Sequence, residues 1–406
     1  MSNLENCIPV GGELGTSTCK FCCDDTIVTF SSVIGSALTE SMEKSWRLMN
    51  RAKDDRWIKN LSIYDEYRNC WRYVGAMTRN SEKTNWFTHK GLIKNFEDAF
   101  IGLSAGLFLL DVETRAMGKP LASVGLGFGI TVRHGENVLE KFFNYLKERL
   151  ADHGGKKYLK IKAKNVYTEE VRDIEINLQF SVMQYQAYGA YMAILFGRYN
   201  MNIYNTYVID VGHGTWIKLP IIDNEADINL SDSIAEGMNT ITRNISTAIF
   251  ESSEQKFKIP EQRIMEKLPL NDYKIDIPGI GLYDFSGLLD QETRYMAEHI
   301  VEYVSADIVA LSNKGQTIDY FTVIGGGAHL LFDTIKRSIG DFFGWNQKTM
   351  DERVIDPKSL GVDARYLNCV GFMLLARDQI AMERGFDVDP SFAVKKMIKD
   401  EVELIA

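Results

Sequence analysis

Two short segments combine a carboxylate, glycine and small hydroxyl residues in the same order. One is Glu13-Leu14-Gly15-Thr16-Ser17-Thr18-Cys19-Lys20, and the other is Asp210-Val211-Gly212-His213-Gly214-Thr215. Tight turns through glycine can direct several backbone amides to one side, which suits phosphate oxygens. A carboxylate beside such a turn can orient the water molecules around Mg²⁺. The two segments therefore predict facing loops that hold a polyphosphate and its magnesium between them.

Each loop has its own expected contacts. The first would surround β-phosphate oxygens with the residues Gly15, Thr16, Ser17 and Thr18, and Lys20 would add an ammonium group. The second would hold the γ-phosphate through Gly212, His213, Gly214 and Thr215. Glu13 and Asp210 would act on the metal through water, because direct contact with phosphate would be repulsive. Either segment alone is also typical of an ordinary β-turn with a solvated carboxylate, so the phosphate interpretation depends on the pair.

A third glycine-rich segment follows the apolar pair Val323-Ile324. The consecutive residues Gly325, Gly326 and Gly327 allow a backbone to pass close under a flat ligand such as adenine, and a helix is predicted to begin near Ala328. An ordinary strand-to-helix turn has the same pattern. The glycines at 125, 127 and 129 lack the spacing of a dinucleotide-binding turn and are predicted to serve packing.

The elements that position these segments follow from hydrophobic periodicity. Residues 7 to 34 predict a strand meander, and residues 36 to 70 a partly helical lobe that returns through 71–75. Helices are predicted over 96–110, 139–150, 187–196, 231–250 and 291–311, and strands over 121–126, 158–164, 174–183, 205–211, 215–221 and 319–324. This alternation predicts an α/β fold with mixed sheets. The recurrence of carboxylate, glycine turn and strand in both halves suggests an internal duplication.

The bulk properties limit the classes of function. A chain of 406 residues is long enough for two domains. The net charge of −9 argues against a protein that coats nucleic acid, so a role on DNA would require a partner. The lysines between 156 and 164 are predicted to lie on a solvated edge strand rather than in a nucleic-acid patch.

Targeting and redox features point to a cytoplasmic protein. The first seven residues do not have the pattern of a secretory signal. The longest apolar stretch, 99–110, is shorter than the roughly 20 residues of a membrane span and is predicted to be a buried helix. Six cysteines are too few for a disulfide scaffold in a chain of this length, and the six histidines lack a metal-binding spacing. A reduced protein without a structural metal or a membrane partner is expected.

Taken together, these segments resemble the actin-like ATPases, and among them the ParM/Alp type of plasmid-segregation filament proteins. Glu13 to Lys20 is similar to the phosphate 1 loop of that family, Asp210 to Thr215 to its phosphate 2 loop, and Ile324 to Ala328 to its adenosine loop. Further similarity covers Phe30 to Gly35, Tyr73 to Gly75 and Asn368 to Phe372, the last resembling the closing helix that returns to the first domain. The resemblance spans nearly the whole chain.

The resemblance implies an α/β actin/Hsp70/sugar-kinase-like fold of two related domains, each with a mixed sheet flanked by helices, and nucleotide in the interdomain cleft. The first domain would cover 1–205, with an inserted lobe at about 36–75 and completion by helices at about 355–406. The second would cover 206–354. Gln186 would position the attacking water, with Gln184 as the rival. Glu236 and Gly237 would contact the ribose or purine.

The implied activity is hydrolysis of ATP or GTP with Mg²⁺, coupled to filament assembly by self-association. A DNA-binding adaptor protein at a centromere-like site would link the filament to its plasmid. Two residues depart from the family pattern, since Glu13 replaces the usual aspartate and His213 replaces a small or acidic residue. Two alternatives remain open: a monomeric small-molecule kinase of the same superfamily, and a scaffold that binds nucleotide without hydrolysing it.

Overall fold

The computed structural model describes residues 6–24, 26–49, 54–88, 93, 95–131, 138–197, 205–254, 257–277 and 281–384. The chain divides into two compact units. Unit 1 is discontinuous and consists of Met1–Asn202 and Leu360–Ala406, whereas unit 2 is the continuous segment Ile203–Ser359. Elements are numbered along the chain.

The described part of unit 1 is built on one large sheet. Its strands are β1 (Ile8–Leu14), β2 (Thr18–Cys23), β3 (Thr26–Ser31), β4 (Val33–Ser36), β5 (Leu61–Asp65), β6 (Cys70–Val74), β7 (Thr84–Trp86), β8 (Ser123–Ile130), β9 (Ala151–His153), β10 (Lys156–Asn165) and β11 (Val171–Tyr185). They run in the order β3-β2-β1-β8-β11-β10-β5-β6-β4-β7, with β9 beside β10. The neighbours β1, β8 and β11 are parallel, and β1 and β2 form an antiparallel hairpin.

The helices of unit 1 are α1 (Glu40–Met49), α2 (Trp57–Asn60), α3 (Phe96–Ala116), α4 (Val138–Arg149), α5 (Tyr188–Gly197) and α11 (Leu367–Arg384). The Asn95 side chain caps α3 by accepting from the amides of Glu97 and Asp98, which helix N-termini otherwise leave unpaired. Residues 99–110 are buried along this helix, as the apolar stretch predicts. Among the described residues, no helix combines the length and apolar character needed to cross a membrane.

Helix α11 lies directly on the sheet because the strands beneath it carry glycine. A Cβ atom at Gly11 would be 2.0 Å from the carbonyl oxygen of Cys369, and one at Gly127 would be 1.9 Å from that of Phe372. Any side chain at either position would push the helix away from β1 and β8. The predicted packing role of the glycines at 125–129 is therefore confirmed.

Unit 2 has a smaller mixed sheet of β12 (Thr206–Val211), β13 (Trp216–Ile222), β14 (Glu225–Ala226), β15 (Asp232–Ile234), β18 (Tyr320–Ile324) and β19 (Val354–Ile355), in the order β14-β13-β12-β18-β19 with β15 beside β13. The strands β16 (Lys274–Ile277) and β17 (Gly281–Asp284) form a separate hairpin. The helices are α6 (Met238–Ser252), α7 (Glu261–Lys267), α8 (Ser286–Asn313), α9 (Ala328–Phe343) and α10 (Gln347–Arg353).

The two sheets share a central arrangement. In unit 1 an antiparallel hairpin, β1–β2, is followed by the parallel neighbours β8 and β11. In unit 2 the hairpin β12–β13 is followed in the same way by β18 and β19. The predicted α/β architecture of two related units, each with a mixed sheet and helices, is confirmed.

Two predictions about individual elements were wrong. The helix expected from residue 231 begins only at Met238, because residues 232–234 pair with β13 as strand β15. The lysine-rich strand β10 is not an edge strand, since it lies between β11 and β5. Its exposed lysines face carboxylates across the ladder, with Lys160 opposite Glu175 at 3.2 Å. In both segments, pairing with other strands determines the structure that the local sequence did not predict.

Candidate functional site

The hairpin loop between β1 and β2 is a tight turn that requires glycine. A Cβ atom at Gly15 would lie 2.5 Å from the carbonyl oxygen of Thr18. The turn is also held from outside. The Thr88 hydroxyl donates to the Gly15 carbonyl at 3.0 Å, and the Ser32 amide donates to the Ser17 carbonyl at 2.8 Å. These bonds fix two carbonyl groups of the turn to the rest of unit 1, so the loop has a defined shape.

Glu13 and Lys20 face each other across the base of this hairpin. They are register partners on β1 and β2, and their side chains form a salt bridge. The Glu13 side chain is almost completely buried. A buried carboxylate is costly unless it is paired, and Lys20 supplies the charge that it needs. The structure thus brings the predicted metal-orienting carboxylate and the predicted phosphate-binding ammonium into direct contact.

Gln186 joins this hairpin from a position 172 residues away in the chain. It follows β11, where its amide donates to the Ile130 carbonyl at 2.6 Å. Its Nε2 atom donates to the Leu14 carbonyl at 3.1 Å, immediately before the turn. Gln184 lies within β11 and is the register partner of Gly129, which in turn is the partner of Glu13. Both glutamines are near the hairpin, and Gln186 is hydrogen-bonded to it.

The second loop, between β12 and β13, is hydrogen-bonded to the start of α6. The Gly212 amide donates to the Thr215 carbonyl at 2.8 Å and closes the loop. The carbonyls of Gly212 and His213 accept from the first amides of α6, those of Met238 at 3.1 Å and Asn239 at 2.8 Å. Loop carbonyls thereby pair two of the amides that a helix N-terminus leaves open.

Gly237 supports this loop, and Glu236 points elsewhere. A Cβ atom at Gly237 would lie 2.6 Å from the His213 carbonyl oxygen and 2.7 Å from the Thr215 amide. Only glycine permits this approach. The Glu236 carboxylate is 3.0 Å from Nδ1 of His299 on α8. Glu236 and Gly237 were both predicted to contact the ribose or purine. Within unit 2, Gly237 contacts the loop, whereas the Glu236 side chain contacts α8.

Asp210 lies beneath the three-glycine segment. Gly325 has a φ of +87°, which favours glycine, and a Cβ atom there would be 2.3 Å from Oδ1 of Asp210. The Gly327 amide donates to the Val211 carbonyl at 2.8 Å. At Gly326 no atom would lie within 4 Å of a Cβ, so this backbone borders open space. Ala328 then begins α9.

The unit 2 residues therefore converge at one edge of the sheet. Asp210, the second loop, Gly237 and the three-glycine segment all adjoin the carboxyl ends of β12 and β18. In open α/β sheets, ligands bind in the crevice outside the carboxyl ends of the strands. In unit 1, the turn, Glu13, Lys20 and Gln186 form a comparable group at the carboxyl end of β1.

His213 is the titratable side chain of the second loop. It reaches solvent, but the protein atoms around the imidazole desolvate it enough to hold its pKa below the usual 6.5. The carboxylate of Glu261 at the start of α7 opposes this shift. The imidazole is consequently neutral at pH 7 and adds no full positive charge to the loop.

Sequence reasoning missed several residues that hold these groups in place. Thr88 and Ser32 support the first turn, and Asn239 supports the second. Asn368, which the sequence indicated only as part of a closing helix, accepts hydrogen bonds from the backbone just after Gln186. Ser32 and Asn239 act through backbone amides, which almost any residue supplies, so the sequence gives no signal for them. Thr88 and Asn368 act through polar side chains of types that are common on surfaces.

Comparison with known proteins gives the class of the fold. No protein-family model matches the chain, and no curated protein matches it. Solved structures do. An archaeal actin homologue is 18% identical, with 91% of this chain and 99% of that chain covered and a TM-score of 0.62.

Two ParM structures are similar to the same degree. A 15-stranded ParM filament from Clostridium botulinum is 18% identical, with coverage of 92% and 99% and a TM-score of 0.61. ParM of Bacillus thuringiensis with AMPPNP is 16% identical, with coverage of 92% and 99% and a TM-score of 0.60. The chain therefore has the actin-like fold. The resemblance of its sequence to the ParM type is confirmed at the level of that fold.

Proposed function

We propose that this protein is an actin-like nucleoside triphosphatase that assembles into filaments when it binds nucleotide. The observation that carries the proposal is the repeated hairpin of the two units. In each, a carboxylate on the first strand, Glu13 or Asp210, precedes a glycine turn. A Cβ atom would lie 2.5 Å from the Thr18 carbonyl oxygen at Gly15 and 3.0 Å from the Thr215 carbonyl oxygen at Gly212. Two such loops supply the amides and hydroxyls that a triphosphate needs.

The three-glycine segment supports a nucleotide as the ligand. Its backbone at Gly326 borders open space, and it adjoins the carboxyl ends of β12 and β18. A flat base can approach such a backbone because glycine has no side chain of its own. The archaeal actin homologue has also been solved in complex with ADP, and Bacillus thuringiensis ParM with AMPPNP. We propose ATP or GTP as the substrate.

The carboxylates fit Mg²⁺ that arrives with the nucleotide. No three His, Cys, Asp or Glu side chains within the described ranges come together as a metal site. Mg²⁺ commonly keeps several waters and binds through one or two carboxylates plus substrate phosphates, so a separate cage is unnecessary. Glu13 and Asp210 would hold waters of the metal, which would neutralise charge on the phosphates. Lys20 forms a salt bridge with Glu13 and would share its charge with the phosphate oxygens.

Gln186 would orient the water that attacks the γ-phosphate. Its Nε2 is engaged by the Leu14 carbonyl, so Oε1 is the atom to accept a hydrogen bond from water. The water oxygen forms a bond to phosphorus while the bond from phosphorus to the β–γ bridging oxygen breaks, and the proton leaves to solvent or phosphate. Such catalysis depends on positioning and charge stabilisation, for which an amide suffices.

Filament assembly and its use in plasmid segregation extend the proposal beyond the single chain. A similar structure is a ParM filament, which supports self-association as the role of this fold here. With a net charge of −9 the chain lacks the excess of positive charge typical of DNA-coating proteins. We propose that a DNA-binding adaptor protein at a centromere-like site connects the filament to its cargo.

The test is sedimentation and negative-stain electron microscopy of the purified protein, together with phosphate release. Conditions are ATP, GTP, a non-hydrolysable analogue or no nucleotide, all with Mg²⁺. We expect filaments with triphosphate or analogue and subunit loss as phosphate appears. Asp210→Ala serves as the control that should fail to assemble. A monomer under every condition contradicts the proposal, and phosphoryl transfer to a screened sugar or acid would then indicate the kinase.

A further inference from the structure

The helix that follows Gln186 begins in an unfavourable way. Ala187 precedes α5 and has a φ of +72°, in the left-handed region that residues with a Cβ rarely adopt. Alanine also has no side-chain oxygen to accept from the first amides of the helix, a role for which Ser, Thr, Asp and Asn are preferred. Both the backbone conformation and the helix start therefore need support from outside the segment.

Asn368 on α11 gives this support. Its Oδ1 atom accepts from the Ala187 amide at 3.1 Å and from the Ala190 amide at 3.1 Å. These amides belong to the residue before the helix and to its third residue, the two that a capping box satisfies within one segment. Here a single side chain from another helix pairs both. Asn368 is only 4% exposed, so water does not replace it readily.

Two glycines bring the helices close enough for this contact. A Cβ atom at Gly371 would lie 1.6 Å from the Gly189 carbonyl oxygen, and one at Gly189 would lie 2.4 Å from that of Asn368. The backbones of α5 and α11 thus touch without intervening side chains. This close crossing fixes the place of Asn368 relative to the turn.

We propose that Asn368 is a positioning residue for Gln186, an inference that rests on the proposed function. Gln186 is bound on one side by the Ile130 carbonyl and through its side chain to Leu14. Its other side is the peptide to Ala187, whose amide Asn368 holds. Without that acceptor, Ala187 can relax toward the right-handed region and rotate this peptide. Oε1 of Gln186 then moves from the position in which it orients water.

The experiment compares Asn368→Leu, which removes the acceptor while keeping a side chain that branches at Cγ, with Asn368→Asp, which keeps an oxygen. Gln379→Ala is the control on the same helix, because its half-buried side chain contacts Glu383 rather than α5. Phosphate release at saturating nucleotide is measured beside nucleotide affinity and thermal unfolding of the full chain. We expect Asn368→Leu to slow release by about 10-fold to 100-fold, as a small displacement of a positioning group does. Nucleotide affinity should remain near that of the wild type, and Asn368→Asp should recover most of the rate.

A double-mutant cycle distinguishes positioning from general support of the fold. In a Gln186→Ala background, Asn368→Leu should slow phosphate release no further, because the group that it positions is gone. Equal and additive losses in both backgrounds would overturn the assignment, as would wild-type release by Asn368→Leu. If Asn368→Leu unfolds, Asn368→Ser replaces it as the shortened variant and the same cycle applies. A wild type that binds and hydrolyses no nucleotide contradicts the proposed function itself, and the assignment with it.

Discussion

Gln186 has both of its nitrogen donors engaged by carbonyl oxygens of neighbouring strands. Ile130 accepts from its amide and Leu14 from Nε2. Gln184, two residues earlier, lies in the strand and in register with Gly129. The sequence could name both glutamines but could not choose between them, because the choice depends on a contact across 172 residues. The hydrogen bond to Leu14 now favours Gln186.

Replacement of Gln186 by alanine is expected to slow phosphate release by about 100-fold or more, the usual range for a positioned group that handles the attacking water. Nucleotide affinity should change little, since this side chain is proposed to contact water rather than nucleotide. Gln184→Ala is the matched control and should release phosphate at nearly the wild-type rate. Single-turnover release by the two variants and the wild type measures the difference. If Gln184→Ala slows phosphate release more than Gln186→Ala does, Gln184 is the residue that positions the water.

His213 gives the second loop a dependence on pH. Its pKa in the folded protein is below the usual 6.5 because of desolvation, so the unfolded chain binds this proton more readily. The contribution of the neutral imidazole to stability is therefore fully present above about pH 6.5 and is lost as the pH falls through the folded pKa.

His213→Asn is expected to make the protein less sensitive to mild acid. Thermal unfolding midpoints of wild type and variant should run parallel above about pH 7 and diverge below about pH 6, with the wild type falling faster. All other titrating groups are common to both proteins, so the difference between the curves isolates His213. Curves that remain parallel to pH 5 contradict the expected shift.

The contact that Asn368 makes could not be predicted from the sequence. Its contact with the Ala187 amide spans 181 residues, and an asparagine near a helix start is unremarkable by itself. Glu13, Asp210 and the glycines could be proposed as site residues because glycine and carboxylate recur in a compact local pattern. Residues that act on those patterns from another element leave no local signal.

At the scale of elements, the three-glycine segment is fixed by contact with β12. We expect Gly325→Ala to destabilise the protein by about 1–3 kcal/mol through backbone strain at positive φ. Crowding of the new methyl group against Asp210 Oδ1 adds to this cost. Nucleotide binding should weaken as well, since Asp210 must move.

Gly326→Ala is the matched control for this substitution. Its Cβ would meet no atom within 4 Å, so stability should be nearly unchanged. Denaturant unfolding and titration with fluorescent nucleotide compare both variants with the wild type. If the two alanine variants lose equal stability, the contact between Gly325 and Asp210 is not the cause.

Local periodicity predicted the elements whose burial is local. Apolar residues at helical spacing predicted α3, and the amphipathic pattern of the next helical segment predicted α4. Strand β15 and the interior location of β10 were missed because both depend on partners far along the chain, β13 for the first and β5 for the second. Register between distant strands is set by packing and not by the composition of either strand alone.

At the scale of the whole molecule, unit 1 needs its C-terminal segment. Helix α11 packs on β1 and β8 at Gly11 and Gly127. Glycine has no side chain, so the strands cannot cover these positions themselves if the helix is absent. Its residues Leu367, Val370 and Phe372 are fully buried. Removal of residues 360–406 is expected to prevent unit 1 from folding, whereas unit 2 keeps every strand of its own sheets.

Two truncated proteins test this asymmetry. Residues 203–359 alone should be monomeric and unfold in one cooperative transition. Residues 1–359 should show that same transition together with protease sensitivity confined to residues 1–202. Limited proteolysis with mass spectrometry and circular dichroism measures both. A protease-resistant unit 1 in the longer fragment would mean that α11 is dispensable.

The discontinuity of unit 1 also sets an order of events during synthesis. Strand β1 is made before unit 2, and α11 is made only after the whole of unit 2. Domains generally fold as units while the chain is still being made. Unit 2 can therefore reach its native state first, while the hairpin that carries Glu13 waits for its covering helix. The packing of α11 over Gly11 and Gly127, which completes unit 1, therefore becomes possible only after unit 2 has been made.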